Sequence, residues 1–386
     1  MINVDTKKFM EDGYLILRQV IPADMLDHLR QSAETVVKRR WPDGRTGRGF
    51  QGFIHGPEQF IDEETADIFE FLLHENTLGV SRQVMPDAVE VAPQGSFLMC
   101  NAVEEHGPWF WHRDINPITK GPLGALQYDM RANGPGYVHF NIALVDDDTF
   151  WVVPGSHLRP NTDEENRQLL SVPHSYAHGQ QPMGEKRHSP LPNSVCADLK
   201  AGDAVINHLE LLHWASNYGR KLRRTFHIGY RSYGGPSMWY EGGRSEAEFA
   251  KYLSPSSQRF LEKTIDLFRQ ECVTIAAVFT AIINKDESAF REGLVKLHPG
   301  EIGRFVCVIH LCKYAQQAHD AGVSHYTPSL GKGEIETLWQ RFEAVDRVLQ
   351  ADEDQYVPAF QIRGPTRYWL NEMPTGFDVD DFVKTW

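Results

Sequence analysis

Residues 111–114 read Trp-His-Arg-Asp. On an extended strand, side chains two apart share a face, so His112 and Asp114 point one way and Arg113 the other. An imidazole and a carboxylate on one face, joined by a second imidazole from a distant strand, form the facial triad suited to Fe(II). Three cis positions are then left for a bidentate 2-oxo acid and for dioxygen. The His-x-Asp pattern carries little weight alone, because a chain with 17 histidines and 52 acidic residues produces it by chance. Its weight comes from residues 201–213, AGDAVINHLELLH, a turn followed by strand-like residues that end in His213, the candidate third ligand. Arg223 follows ten residues later, at the head of RRTFHIGYR. A guanidinium meets a carboxylate with two parallel hydrogen bonds, which suits the distal carboxylate of 2-oxoglutarate better than a lysine point charge does.

Strands are needed to carry these groups, and the sequence supplies them. Between Val89 and Tyr233, short β-rich runs (SFLMCN, YVHFNIALV, FWVVPGS, DAVINH, TFHIGYR) are separated by Gly, Pro, Asn and Asp clusters, the pattern of an all-β sandwich or barrel. Upstream, Tyr14 to Val20 alternates as a strand and Pro22 to Lys38 has helical spacing. Arg39 to Gly56 reads as an irregular, arginine-rich loop, and Ile115 to Gly136 as a Gly- and Pro-rich insertion bordering the substrate cavity. Beyond Gly235 the periodicity turns helical, around Gln258 to Asn284, Ala289 to Leu297, Gly303 to Ala321 and Ile335 to Leu349. Ser256 and Ser257 are the candidate caps of the first long helix, whose continuous apolar face offers a homodimer contact. The expected division is a catalytic unit over 1–235 and a mainly helical extension over 236–386, serving as lid, buttress or dimer contact.

The six segments FMEDGYLILR (Phe9 to Arg18), WHRD (111–114), NIALVDDD (Asn141 to Asp148), WVVPGSH (Trp151 to His157), Gly202-Asp203 and LLHWASN (Leu211 to Asn217) occur in the order found in a known family. Together they resemble the phytanoyl-CoA dioxygenase family of Fe(II)- and 2-oxoglutarate-dependent oxygenases, over about Thr6 to Tyr233. The resemblance implies a mainly β core with helices, built as a double-stranded β-helix (a jelly-roll, cupin-like core), here with flanking helices and a helical C-terminal extension. It implies Fe(II) held by His112, Asp114 and His213, with 2-oxoglutarate and O2 as co-substrates. It also implies an arginine about eleven residues past the last ligand, a count that Arg224 fits, while the RRxxH strand pattern selects Arg223. Asn141 stands where relatives place a residue beside 2-oxoglutarate. Arg113 replaces a glutamine common at that position. Related halogenases lack the carboxylate that Asp114 supplies, so its presence points to hydroxylation or a related oxidation such as desaturation.

Other histidines have plainer explanations. His208, five residues before His213, reads as structural, and His157 as a loop-bonding residue of the PGSH turn. Trp109, Phe110 and Trp111 read as core or cavity wall. His310 and Cys312 stand at i and i+2, which do not share a helix face, so they are not expected to form a second metal site.

Composition narrows the partners. A formal charge of −13 repels phosphate backbones and anionic lipid, so neither nucleic acid nor a membrane is expected as a partner. The longest late apolar stretch, Cys272 to Ile283, is too short to span a bilayer. Five scattered cysteines suggest no disulfide framework, and the first residues show no export signal, so the expected location is cytoplasmic. The expected ligand is a small molecule, and the arginines at 39–48, at 113 and at 220–224 suggest an anionic one. Two other readings stay open: a metal-dependent cupin enzyme that does not use 2-oxoglutarate, and a non-catalytic small-molecule-binding jelly roll.

Overall fold

The computed structural model describes residues 2–42, 52–55, 60–100, 111–114, 123–165, 190–215, 222–234, 248–298, 300–324, 326–354 and 378–386. Trp109, Phe110, Arg220 and residues 43–51 of the arginine-rich loop lie outside them.

Among the described residues, two antiparallel sheets carry the β-structure. Strands β1 (Tyr14–Leu17), β2 (Gly52–His55), β3 (Glu90–Cys100), β4 (Tyr137–Ala143), β5 (Phe150–Val152), β6 (Val195–Cys196), β7 (Ala204–Asn207), β8 (His213–Ala215) and β9 (Arg224–Tyr233) follow in chain order. Six form one sheet in the order β1-β7-β4-β9-β3-β2, and three form the other in the order β6-β5-β8. The alternation of β9 shows what each face of the large sheet does. Phe226, Ile228 and Tyr230 join Val138, Phe140 and Ile142 of β4 in the main core. Against them pack Leu29, Ala33 and Val36 of helix α2 (Leu26–Arg40) and Ile68, Phe69 and Phe71 of helix α3 (Ala66–Leu72). A shorter helix, α4 (Leu78–Val84), completes that layer. The opposite face turns to the small sheet, where Ala143 and Val205 pack with Phe150, Val152, Leu199 and Leu211.

The N-terminal motif fastens this arrangement. Helix α1 (Thr6–Asp12) is capped by the Asp5 side chain, which accepts from Lys8 N–H, and ends on Gly13 at φ 82°. That left-handed conformation suits glycine. A Cβ there would also stand 2.4 Å from His157 Nδ1. The ring of His208 is stacked between Phe9 (centroids 4.3 Å apart) and His157 (4.7 Å). Two of the distant motif segments, 9–18 and 151–157, therefore meet through His208 in one packed column.

Several local expectations are corrected. Helix α5 (Leu123–Asn133) stands inside the stretch read as a Gly- and Pro-rich insertion, and its Asp129 lies 3.0 Å from His298. Residues 52–55, placed in a loop by their Arg- and Gly-rich context, form the edge strand β2 paired with β3. The long helix α6 (Pro255–Asn284) is capped by Ser254, with Pro255 at its first turn, rather than by Ser256 or Ser257. Proline is pre-organised for that position, and its missing N–H costs nothing there.

The C-terminal helices α7 (Glu287–Leu297), α8 (Glu301–Ala321), α9 (Lys332–Asp354) and α10 (Val379–Lys384) cover the apolar face of α6. Phe279 and Ile282 are buried there with Phe290, Leu294, Ile309 and Phe342, and that core also takes in Ala92, Leu126 and Tyr233. Of the apolar face that the sequence offered as a dimer contact, Leu261, Phe268, Ile275 and Phe279 are buried within the chain, while Phe260, Ile265 and Cys272 are half-buried. Arg231 of β9 pairs with Glu271 of α6, joining the helices to the sheet. His310 and Cys312 are both buried in this helical core, and neither joins a metal-ligand cluster among the described residues. No helix among the described residues is long and apolar enough to cross a membrane.

Candidate metal centre

His112, Asp114 and His213 converge. One ligand atom from each lies within 4.8 Å of the other two, the one such group among the described residues. Backbone pairing brings them together, because His112 and His213 face each other in an isolated antiparallel bridge. Each donates its N–H to the other's carbonyl at 2.9 Å, and Asp114 N–H donates to Leu209 O at 2.9 Å. His112 Nε2 stands 3.4 Å from Asp114 Oδ1, and His213 Nε2 stands 3.6 Å from Oδ2.

The protonation states suit a cation. His213 Nδ1 donates to Leu211 O at 2.9 Å, which leaves the Nε2 lone pair turned toward the carboxylate. Burial pushes the His213 imidazole down to about 4, so the ring is neutral near pH 7. Burial alone would raise the Asp114 carboxyl, but His213 together with hydrogen bonds to His112 and His139 holds it well below the usual carboxylate range. Two imidazoles and one carboxylate are the donor set a divalent first-row metal takes.

Arg113, between the two ligand candidates, takes no part in their cluster. Its guanidinium is buried and donates to Ser156 O, Glu210 O and Asn161 Oδ1. That position therefore braces the scaffold and does not meet an anionic ligand. Arg39 is likewise engaged, with Asp62 and Glu64.

The arginine pair is separated by the parity of β9. Arg224 lies on the outer face, where its Nε bonds Glu34 of α2 at 2.5 Å. Arg223 shares the inner face with Thr225, and both side chains donate to Asp147 Oδ2, at 2.9 and 3.2 Å. His227 continues that face directly opposite Asn141 of β4. Asn141 Oδ1 and His227 Nε2 are buried and have no hydrogen-bond partner among the described residues. Burial, then the neighbouring His139 and Arg223, hold the His227 imidazole well below its ordinary value.

Two residues of this face escaped the sequence reading. His139 places Nδ1 2.8 Å from Asp114 Oδ2, and its ring meets that of His227 edge-on at 5.1 Å. The signal was period two: His139 stands two before Asn141, and His227 four after Arg223. His208 and His157 are structural, as expected, with imidazoles that burial pushes well below the ordinary value and to about 4 respectively.

The sequence profile of the family described as Phytanoyl-CoA dioxygenase (PhyH) matches residues 9–225. The chain belongs to the phytanoyl-CoA dioxygenase family. The expectation of an oxygenase is the one this match supports. The solved structures similar to this PhyH-family chain include the non-heme alpha ketoglutarate dependent carbocyclase SnoK from nogalamycin biosynthesis. It is 18% identical, with 61% of this chain and 86% of that one covered and a TM-score of 0.41. AviO1 from Streptomyces viridochromogenes Tue57 is 18% identical over 62% of this chain and 100% of that one, at TM-score 0.41. EctD from S. alaskensis in its apoform is 15% identical over 61% and 78%, at TM-score 0.40. No curated protein matches the chain.

Proposed function

We infer that this PhyH-family chain is an Fe(II)- and 2-oxoglutarate-dependent dioxygenase that hydroxylates, or desaturates, an unactivated carbon of a small molecule. The observation that carries the reading is the convergence of His112, Asp114 and His213, remote in sequence, with their ligand atoms within 4.8 Å of one another. When bound, iron and 2-oxoglutarate supply the oxidation, with dioxygen consumed and succinate and carbon dioxide released. The protein's part is to bind, orient and keep dry. His112, Asp114 and His213 would hold the cation on one face. Arg223, steadied at Nε by Asp147, would take the distal carboxylate with its terminal nitrogens. Asn141 and His227, paired across β4 and β9 and buried with polar atoms lacking partners among the described residues, would contact the keto acid. The presence of Asp114 favours hydroxylation or desaturation over halogenation.

In this reading the two sheets are the two faces of a jelly roll, with 1–235 as the catalytic unit and 236–386 as a helical buttress. The test is metal analysis with a 2-oxoglutarate turnover screen across classes of small molecule. Substrate-dependent succinate release, lost in His213→Ala, is expected. Metal-dependent turnover without succinate would move the chain to the metal-cupin alternative.

A further inference from the structure

Asp114 has a close neighbour that is not itself a ligand candidate. His139 Nδ1 lies 2.8 Å from Asp114 Oδ2, yet His139 stands outside the group formed by His112, Asp114 and His213. A carboxylate that binds a cation is ionised and can only accept hydrogen bonds, so His139 is the donor. The other oxygen, Oδ1, is turned toward His112 Nε2, at 3.4 Å, while Oδ2 also stands 3.6 Å from His213 Nε2. The His139 ring has little freedom. It is 7% exposed, it meets His227 edge-on at 75° and Tyr137 at 70°, and its backbone is paired on both sides, with Asn207 and Gly229. Gly229 contributes to this packing, because a Cβ there would stand 1.4 Å from the Tyr137 hydroxyl.

We propose that His139 is a positioning residue that holds Oδ2 of Asp114 and so keeps this carboxylate a one-oxygen ligand through Oδ1. A carboxylate free to turn would chelate the cation with both oxygens and take up a position that the keto acid or dioxygen needs. The inference rests on the triad being the metal site, and its test separates the two claims.

The full chain is titrated with Co(II), and the visible absorption is followed for affinity and coordination number together. His139→Gln and His139→Leu remove the donor at the Nδ1 position; both are expected to weaken Co(II) binding by about 10- to 100-fold, the scale for losing a partner of a metal ligand. Their spectra should shift toward higher coordination. His139→Asn places an amide N–H close to where Nδ1–H stood, and it should recover most of the affinity and the wild-type spectrum. Equal Co(II) affinity in wild type and the Gln variant, or an Asn variant no tighter than the Gln variant, overturns the role of His139. Equal affinity in wild type and His112→Ala overturns the metal site itself.

Discussion

The guanidinium of Arg223 is held at Nε by Asp147 Oδ2, 2.9 Å away, with both side chains 2% exposed. This buried pair fixes which arginine of the 223–224 couple faces inward. Removing one partner of such a pair leaves an uncompensated charge in the interior, so Asp147→Ala should lose about 3–5 kcal/mol of stability. Urea unfolding measures it. Arg223→Lys keeps the charge but loses the two-pronged geometry, and should weaken 2-oxoglutarate binding roughly tenfold or more. Arg224→Lys, which alters the contacts with Glu34 and with the Arg223 carbonyl, should leave that affinity near wild type. Calorimetric titration of 2-oxoglutarate into the Ni(II)-loaded protein distinguishes the two, and the reverse ranking would move the anchor to Arg224.

Gly13→Ala should be costly although the position is far from the metal centre in sequence. The residue sits at φ 82°, and a Cβ would stand 2.4 Å from His157 Nδ1. The backbone conformation alone costs about 1–2 kcal/mol for a non-glycine residue. Displacing His157 adds to that by disturbing the Phe9, His208 and His157 stack. A wild-type unfolding midpoint in this variant would contradict the packing described.

The metal-free protein should lose stability as the medium is acidified below the ordinary histidine range. Burial lowers His157 to about 4 and His208 well below its ordinary value. The unfolded chain binds these protons first, near its own value of about 6.5. The contribution is therefore fully present above about pH 6.5 and is lost as pH falls toward 4, at up to about 1.4 kcal/mol per pH unit for each group. Unfolding free energies measured at pH 8, 6.5, 5.5 and 4.5 check the sign; a flat profile over that range would contradict neutral buried imidazoles.

The triad was legible in the sequence from residue types and a spacing of two, although His112 takes part only in an isolated bridge and His213 begins β8 after a turn instead of ending the strand expected before it. The same period of two, carried from Asn141 back to His139 and from Arg223 on to His227, reaches the remaining polar groups of the site. What was not legible depends on partners remote along the chain. Which of Arg223 and Arg224 faces inward follows from the register of β9 against β4. Whether Arg113 meets a ligand or the scaffold depends on Ser156, Glu210 and Asn161. Strand β3 runs through Pro93 and an irregularity between Gln94 and Ser96, so its N-terminal half lacks a clean strand pattern. Helix α5 was hidden by the Gly- and Pro-rich residues before it, and its place is settled by contacts with α8 and His298.

The most direct measurement is anaerobic addition of Fe(II) and 2-oxoglutarate to the purified chain, watched for the weak visible charge-transfer band of a keto acid chelated to iron. The account predicts a band in the wild type that is absent in His112→Ala and in His213→Ala. A band of full intensity in either variant, or none in the iron-loaded wild type, would contradict it.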